Sequence, residues 1–440
     1  MSRHVLRGGT LVTAQTTIDA DLLLDDGRIH RILTRDASSK PITADEVTDV
    51  SGMLIFPGLI DCHVHFREPG LTQKADMFSE SRSALAGGVT TACEMPNTVP
   101  PTTTIAALAD KVRRAEAIPD FDLRFYVGAT QSEHLFTLRE LWSAGNEELA
   151  RLKRRCCGLK LYFDHSTGDQ KVDGGIIDDI FAACAELSIP LICHCEDPAM
   201  NAAAAEQYAQ EADVVFHSRM RPPESEGKAI ADAISFARKH NTAMHVAHLS
   251  TRQGVDLVRA AKAEGLRITC EVAPHHLFLS EDDYPRLGAL GKMNPPLRAR
   301  DHHEALWGGI FDGTVDCIAT DHAPHTLSEK QIADPLKAPS GVPGVETMLP
   351  LLLSAVARVL PCPVDFGYCD IVRLCFEQPN RIFQLRRHGI EEGAPANLVI
   401  VDPHADWTIR GADLHAKCGW TPFEGWHVRG RAKVWRESGV

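Results

Sequence analysis

The stretch LIDCHVHF at residues 59–66 decides the fold and also marks the chemistry. It is a short run of apolar and β-branched residues, which is typical of a strand that is buried on both faces. Side chains alternate along a strand, so His63 and His65 share one face. Because a buried strand has no structural need for two imidazoles, the stretch indicates a functional site at its carboxyl end.

Seven further runs of this kind follow, and helix-like stretches rich in Ala, Leu and Glu separate most of them. The runs cover residues 89–95, 123–129, 158–163, 190–195, 243–249, 267–273 and 316–321. Strand patterns that alternate with helical patterns indicate βαβ units and a parallel sheet. Eight strands are the number found in an α/β (β/α)8 TIM barrel, which is the fold we predict. An open doubly wound sheet is the alternative.

The two ends of the chain have a different pattern. Short β-like runs (VLRGGTLVT and ADLLLDDGRIHRIL, then ANLVIVDPHADWTI and WHVRGRAKVWRES) are broken by the Gly and Asp-Gly turns of hairpins. We therefore predict a small composite β-sandwich domain built from residues 1–56 and 389–440, with the barrel at 57–388. Two separate β extensions are the alternative.

Composition excludes several classes of protein. The 440 residues contain 46 Lys and Arg against 59 Asp and Glu, a formal charge of −13, which argues against nucleic acid as a partner. No apolar run is long enough to span a bilayer, and the first residues lack the apolar region of a signal peptide. The 13 cysteines are odd in number and lie in apolar elements, which favours reduced thiols. We expect a cytoplasmic protein with neither a nucleic-acid nor a membrane partner.

Polar residues near the carboxyl ends of the predicted strands form the candidate site. In a barrel these ends meet at one mouth. The residues are His63, His65, Lys160, His194, His248 and Asp321. Imidazole and carboxylate ligands favour Zn²⁺ and also admit Mn²⁺, Fe²⁺ or Co²⁺. Four histidines and an aspartate exceed the ligands of one catalytic zinc, so we expect two ions. A lysine fits beside two dications only if CO2 has carbamylated it, which turns its end into a bridging carboxylate.

Other candidates receive structural interpretations. His245 lies three residues before His248 and hence on the opposite face of the strand, so we interpret it as a packed residue behind the ligands or outside the site. His275 and His276 are expected to lie around the site without binding the metal. The cysteines beside His194 and the pair at 156–157 are read as packing residues, and Asp164 ranks below Lys160 as a bridging group.

Six motifs together resemble the dihydroorotases of the amidohydrolase superfamily. They are DCHVHFREPG (61–70), EMPNTVPP (94–101), GLKLYF (158–163), CEVAPHHLFL (270–279), KMNPPLR (292–298) and ATDHAPHT (319–326). Each motif alone is modest evidence, but the set in this order is highly specific. The segment after Lys160, with STG at 166–168, resembles a bacterial subgroup of class I type that keeps the carboxylated lysine.

The resemblance implies reversible hydrolysis of dihydroorotate to N-carbamoyl-L-aspartate, the third step of de novo pyrimidine biosynthesis. It implies two Zn²⁺ per subunit, one held by His63, His65 and Asp321 and the other by His194 and His248. Carbamylated Lys160 and a hydroxide would bridge them, and Asp321 would act as general base and then acid. The implied substrate ligands are Arg67, Asn97 and His325 for the carboxylate and Asn294 for the ring.

Two alternatives remain open at this point. Allantoinases and dihydropyrimidinases or hydantoinases share the metal centre but lack the combination of Arg67, Asn97 and His325. Metal-less homologues serve only as scaffolds for aspartate transcarbamoylase, although this sequence keeps the positions that such scaffolds lose. We expect a small-molecule substrate, a homodimer or other homo-oligomer, and an optional association with aspartate transcarbamoylase.

Overall fold

Eight parallel strands form the central barrel of the protein. The computed structural model describes residues 3–34, 44–143, 145–164, 170–172 and 174–435. Each barrel strand pairs with its sequence neighbour in parallel register, as in successive βαβ units. The strands are β6 (Leu59–Val64), β7 (Val89–Glu94), β8 (Asp122–Gly128), β9 (Cys156–Tyr162), β10 (Leu191–His194), β11 (Met244–Val246), β12 (Ile268–Val272) and β13 (Cys317–Ile318). All eight predicted strands are confirmed, and the open doubly wound sheet was the wrong alternative.

The barrel closes between its first and last strands through a few polar contacts. Val64 forms a parallel bridge with His322, and the His65 amide donates to the His322 carbonyl oxygen over 2.7 Å. Deeper in the barrel, the Asp61 carboxylate accepts hydrogen bonds from both the amide and the hydroxyl of Thr320. These contacts place the residues after β13 beside the end of β6, which brings Asp321 to the two histidines.

Helices surround the barrel and occupy most of the connections between strands. Several begin at side-chain caps; the Asp76 carboxylate, for example, accepts from the Ser79 amide. The helices are α1 (Met77–Ala86), α2 (Ile105–Ala115), α3 (Ser132–Ser143), α4 (Glu147–Arg155), α5 (Ile177–Leu187), α6 (Pro198–Gln207), α7 (Phe216–Met220), α8 (Pro223–His240), α9 (Arg252–Ala263), α10 (Pro274–Phe278), α11 (Tyr284–Leu287), α12 (Arg300–Phe311), α13 (Leu327–Lys330), α14 (Met348–Val356), α15 (Tyr368–Val372) and α16 (Gln378–Ile382). The largest apolar cluster lies between these helices and the barrel strands.

The two ends of the chain build one seven-stranded sheet. Its strands are β1 (Arg3–Val12), β2 (Thr17–Asp25), β3 (Arg28–Thr34), β4 (Glu46–Asp49), β5 (Leu54–Pro57), β14 (Leu398–Thr408) and β15 (His427–Val434). The link between the ends is the antiparallel pairing of β5 with β14. Leu398 packs in one apolar cluster with Leu6, Leu22 and Ile55. The composite β domain is therefore present, while its boundaries at 56/57 and 388/389 stay predictions.

Two global features bear on the excluded classes. Within the described ranges, no helix has both the length and the apolar character that a membrane span requires. All 13 cysteines are free thiols, and 10 of them are buried or nearly so in the core.

Candidate active site and metal centre

His63, His65 and Asp321 converge at the mouth of the barrel. One ligand atom from each lies within 4.8 Å of the others, and all three side chains are buried. Asp321 Oδ1 lies 3.3 Å from His63 Nε2 and 3.1 Å from His65 Nε2. The predicted group of two histidines and a carboxylate is thus assembled as a metal-ligand set of the kind that zinc prefers.

His194 and His248 form the second pair of imidazoles. His194 ends β10, and its Nδ1 lies 2.9 Å from His248 Nε2. β11 ends at Val246, and His248 has a φ of 34°, so the chain has left the strand before this residue. The ring centroids of His63 and His248 are 5.2 Å apart, so the second pair adjoins the first group.

Lys160 is buried on β9 in an unusual environment. Its Nζ has no hydrogen-bond partner among the described residues and lies 4.9 Å from the centre of the Tyr162 ring. Burial lowers the pKa of Lys160, although Glu271 and Asp321 oppose this shift. A buried ammonium without a partner is costly, whereas a neutral amine is the form that reacts with CO2. The environment therefore suits the predicted carbamylated lysine.

Glu271 on β12 is a site residue that the sequence analysis missed. It accepts a short hydrogen bond from His63 Nδ1, and its other oxygen lies 3.3 Å from His245 Nε2. Although burial alone raises the pKa of Glu271, His63 and His245 outweigh it and hold the pKa well below its usual value. An ionised carboxylate on Nδ1 orients a histidine so that Nε2 faces a metal.

Glu196 plays the equivalent part beside His194. Its Oε2 lies 2.9 Å from His194 Nε2 and accepts from Arg221 Nη2 over 2.6 Å, while Arg221 Nε donates to Oε1 over 3.0 Å. Arg221 also donates to Asp164, which accepts a second bond from Asn201. Asp164 therefore bonds to Arg221 and Asn201, which agrees with its rank below Lys160 as a bridging group.

Three of the predicted substrate ligands line one small cavity together with His65 and Asp321. They are Arg67, Asn97 and Asn294. Arg67 is buried with a φ of 68°, in a turn held by a bond from the Phe66 amide to Glu94. Its Nε donates to the Pro324 carbonyl oxygen, whereas the buried Nη1 has no partner among the described residues. An unpaired guanidinium donor at a cavity is suited to a carboxylate.

The two asparagines also make contacts within the protein. Asn97 Oδ1 accepts from His65 Nδ1 over 2.7 Å, so this residue orients a candidate metal ligand. Asn294 Oδ1 lies 3.0 Å from His217 Nε2. Their contacts with a substrate stay predictions.

His325 lies beside Arg67, with 3.1 Å between His325 Nε2 and Arg67 Nη2. Lys74 Nζ lies 3.0 Å from Nδ1, and the Ser340 carbonyl oxygen lies 3.0 Å from Nε2. Because a lysine donates to Nδ1, the proton of a neutral ring is on Nε2 and donates to Ser340. Burial lowers the pKa of His325, and Arg67 and Lys74 lower it further. Direct binding of substrate by His325 stays a prediction.

The interpretation of His245 as a packed residue agrees with the structure, but its predicted strand face was wrong. His245 is buried behind the ligands, where its Nε2 lies 3.3 Å from the Glu271 carboxylate that orients His63, so it shares the interior of the barrel with them. The strand ends before His248, so alternation does not separate the two residues. His275 and His276 are buried near the site, and burial lowers the pKa of His275 to about 4, although Asp321 opposes the shift.

The charge states of the ligand set suit metal binding. Burial lowers the pKa of His65 to about 4, although its hydrogen bond with Asp321 opposes the shift. Burial also lowers the pKa values of His194 and His248. For Asp321, burial raises the pKa but His63 and His65 outweigh it, so the pKa falls. Three neutral imidazoles and an ionised carboxylate are the forms that coordinate a dication.

The residues at the mouth of the barrel fit bound metal ions. The site holds facing imidazole nitrogens, an ionised aspartate and a buried lysine that lacks a hydrogen-bond partner among the described residues. Outer carboxylates orient one histidine in each group. The segment 165–169 after the lysine motif, with its STG, lies outside the described residues.

The barrel and the site define a class, a TIM-barrel protein with a candidate metal centre at the carboxyl ends of its strands. Comparison with known families gives the family itself. The model of the Amidohydrolase family matches residues 54–429, so the chain belongs to this family. Together with the dihydroorotase relatives described next, this match shows that the protein is an enzyme, a cyclic amidohydrolase.

Curated relatives include several dihydroorotases, which confirms the resemblance seen in the motifs. The enzyme of Halobacterium salinarum is 40% identical over 416 residues, which cover 93% of this chain and 92% of the relative. That of Methanosarcina acetivorans is 37% identical over 418 residues, covering 92% and 85%. That of Staphylococcus epidermidis is 33% identical over 428 residues, covering 97% and 96%.

Solved structures with the same fold include hydantoinases. An L-hydantoinase (dihydropyrimidinase) from Arthrobacter aurescens superposes with a TM-score of 0.89 at 27% identity, covering 99% of this chain and 95% of the other. A dihydropyrimidinase from Brevibacillus agri NCHU1002 gives a TM-score of 0.86 at 25% identity, covering 98% and 92%.

Proposed function

We propose that this enzyme is a dihydroorotase, which reversibly hydrolyses the cyclic amide of (S)-dihydroorotate to N-carbamoyl-L-aspartate in de novo pyrimidine synthesis. The observation that carries the proposal is the cavity where Arg67 and Asn97 adjoin His65 and Asp321. A cationic anchor next to a hydrolytic centre suits a ring amide that bears a carboxylate. The dihydroorotase relatives support the same substrate.

The proposed cofactors are two Zn²⁺ ions per subunit. His63, His65 and Asp321 would hold one ion, His194 and His248 the other, and carbamylated Lys160 would bridge them. When bound, the ions would polarise the ring carbonyl and lower the pKa of the attacking water to near 7.

The protein groups then account for binding and proton transfer. Arg67 Nη1 is the donor for the substrate carboxylate, and Asn97 holds His65 in place through Nδ1. The attacking water loses one proton to solvent when it ionises, and ionised Asp321 takes the second proton and gives it to the ring nitrogen. The water oxygen joins the ring carbonyl carbon, the bond from this carbon to the nitrogen breaks, and a new carboxylate and a terminal carbamoyl group result. Because closure requires a protonated carboxyl group, acid favours the ring and alkali favours opening.

The test compares three ring amides with one enzyme of known metal content. We expect dihydroorotate to be hydrolysed much faster than dihydrouracil and allantoin. Replacing Arg67 by Met removes a charge-assisted contact of about 2–4 kcal/mol, so kcat/KM for dihydroorotate falls about 30- to 1,000-fold, mainly through KM. The slow rate with dihydrouracil, which lacks the carboxylate, stays the same and serves as the control.

The likeness to hydantoinase structures favours one second candidate, a dihydropyrimidinase or hydantoinase. Faster turnover of dihydrouracil than of dihydroorotate would establish this candidate instead. An equal loss with both substrates in the Arg67 variant would contradict the assignment of Arg67 to the carboxylate.

Partners and location also stay proposals. We propose a homodimer or other homo-oligomer in the cytoplasm, with an optional association with aspartate transcarbamoylase. Light scattering of the purified enzyme, alone and with aspartate transcarbamoylase, measures both assemblies.

A further inference from the structure

A second cavity lies at the opposite end of the barrel from the candidate active site. It has a volume of about 500 Å³ and is lined by residues at the amino ends of β8 and β9, by α3 and α4, and by residues 383–386. A neighbouring cavity of about 440 Å³ shares Ser188, Pro190 and Gln384 with the first. The first cavity alone is within the range of volumes that bind small metabolites.

The walls of this cavity are strongly cationic. Arg124, Lys153, Arg154 and Arg386 line it, and no described acidic residue does so. Lys153 donates to the Trp142 carbonyl oxygen, and its Nζ lies 5.4 Å from the centre of the Trp142 ring, while Arg124 donates to the Asp122 carboxylate. The guanidinium groups of Arg154 and Arg386, by contrast, are exposed and have no hydrogen-bond or ion-pair partner among the residues described. Such a wall is exceptional in a chain with a net charge of −13.

The positive charge extends beneath the cavity wall. The carboxylate of Asp122 binds three arginines, with 2.8 Å to Arg124, 2.7 Å to Arg155 and 3.4 Å to Arg387. Arg387 Nε is buried and has no partner among the described residues. Burial lowers the pKa of Arg387 and the neighbouring arginines lower it further, although Asp122 opposes them. One carboxylate therefore compensates three guanidinium groups, and the cluster retains an excess of positive charge.

The backbone of the wall is also constrained. Gln384 and Arg386 have φ values of 52° and 57°, in the left-handed region that non-glycine residues rarely adopt. Such conformations cost about 1–3 kcal/mol each and are concentrated at ligand sites. Both residues line the cavity, as does Ser188, which has a φ of 55°.

We propose that this cavity binds a nucleoside phosphate, with Arg154 and Arg386 on the phosphate groups and Trp142 beside the base. Guanidinium groups bind phosphate oxygens in pairs of charge-assisted hydrogen bonds, and an aromatic ring in the wall suits a base. The volume accommodates a mononucleotide and the neighbouring cavity extends it. The site is separate from the active site, so this inference does not depend on the substrate proposed above.

Calorimetry with the metal-loaded, full-length enzyme tests the proposal with four probes: inorganic phosphate, pyrophosphate, UTP and ATP. We expect saturable binding of at least one nucleotide, tighter than that of either inorganic ion and weakened by added salt. The double variant Arg154→Glu/Arg386→Glu should bind the nucleotide about tenfold more weakly for each arginine removed, because charge-assisted contacts with the phosphate groups are lost. Its hydrolytic kcat without nucleotide should equal that of the wild type.

The matched control is Arg82→Glu/Arg31→Glu, which reverses two exposed arginines on α1 and β3 and should leave binding unchanged. A third variant, Trp142→Leu, should lower the affinity for nucleotides but not the affinity for pyrophosphate. No saturable binding at millimolar nucleotide, equal affinity for pyrophosphate and nucleotides, or equal binding by the charge-reversed variant and its control would each overturn the proposal.

Discussion

The candidate metal centre has two halves that are held in different ways. In the His63 half (His63, His65 and Asp321), the outer carboxylate Glu271 comes from a barrel strand. Its side-chain partners are His63, His245 and Cys62, and it also accepts from the backbone amide of His248. In the His194 half (His194 and His248), the outer carboxylate Glu196 is shared with Arg221, which lies between α7 and α8. The first half is therefore fixed by barrel formation, whereas the second also depends on a segment outside the barrel.

Lys160 is expected to connect the two halves, so its replacement should have the largest effect. In Lys160→Ala, both ions should be lost and kcat should fall about 10³-fold or more, because several kcal/mol of charge stabilisation disappear. Metal analysis after dialysis and a dihydroorotate assay measure the two losses.

A matched variant separates carbamylation from packing. Lys160→Met keeps the length of the side chain but cannot form a carbamate, so it should lose metal and activity to the same extent. Either variant retaining both ions and the full rate would contradict the bridge.

His275 lies near the His63 half but is not a ligand candidate, so its protonation can be followed in the metal-free protein. The pKa values of His65 and His275 are lowered by burial from 6.5 to about 4. Between pH 4 and 6.5 the unfolded chain therefore binds more protons, and the stability of the metal-free protein rises with pH. Each histidine contributes up to about 3 kcal/mol to this rise.

Replacing His275 by Gln, which does not titrate, should remove one of these contributions. Urea unfolding in the presence of a chelator, at several pH values between about 4.5 and 7.5, measures how steeply the stability rises with pH. This range covers most of the window of about 4 to 6.5 in which His275 is expected to contribute. The slope of the variant should be shallower than that of the wild type. Identical slopes would mean that His275 titrates normally in the folded protein.

Glu271→Gln should weaken the His63 half selectively. Glutamine keeps the shape of the side chain but loses the charge that orients His63, and such changes cost about 10- to 100-fold in metal affinity. Titration of the metal-free protein with Co²⁺ should show one weakened equivalent and one of normal affinity. Loss of both equivalents together would show that the halves are not independent.

The sequence predicts the barrel well because its signals are local. Each strand is a short apolar run between helical patterns, and the polar residue at its end is visible without any contact map. The same reasoning finds His63, His65, Lys160, His194 and Asp321 at the mouth. His248 was also found, although its contact with His194 depends on a left-handed φ that no pattern indicates.

The outer carboxylates were missed for two different reasons. Glu271 lies inside the buried run RITCEVA. A charged residue in a buried strand indicates a functional role, as it does for His63 and His65, but this signal was overlooked at Glu271. Glu94 in VTTACEM carried the same signal. Glu196 follows His194 by two residues and is visible, but its partner Arg221 is 25 residues away along the chain. Contacts of this kind arise from packing and have no local pattern.

The smallest effect is expected from Arg221→Lys. Lysine keeps the positive charge beside Glu196 but cannot reproduce the contacts of Nε and Nη2 with both oxygens. His194 should then be oriented less firmly, and the affinity of one metal equivalent should fall about tenfold, at the low end of such effects. Co²⁺ titration again resolves the two equivalents.

Arg219→Lys on α7 is the control, because Arg219 is exposed and lies in the same segment. If the two halves depend on different outer carboxylates, combining Arg221→Lys with Glu271→Gln should weaken both equivalents, each by the amount seen alone, since independent sites add. A combined loss larger than the two single losses would instead mean that the ions are coupled, most directly through the bridging Lys160. The double variant thus distinguishes two sites that share a barrel from one site with two ions.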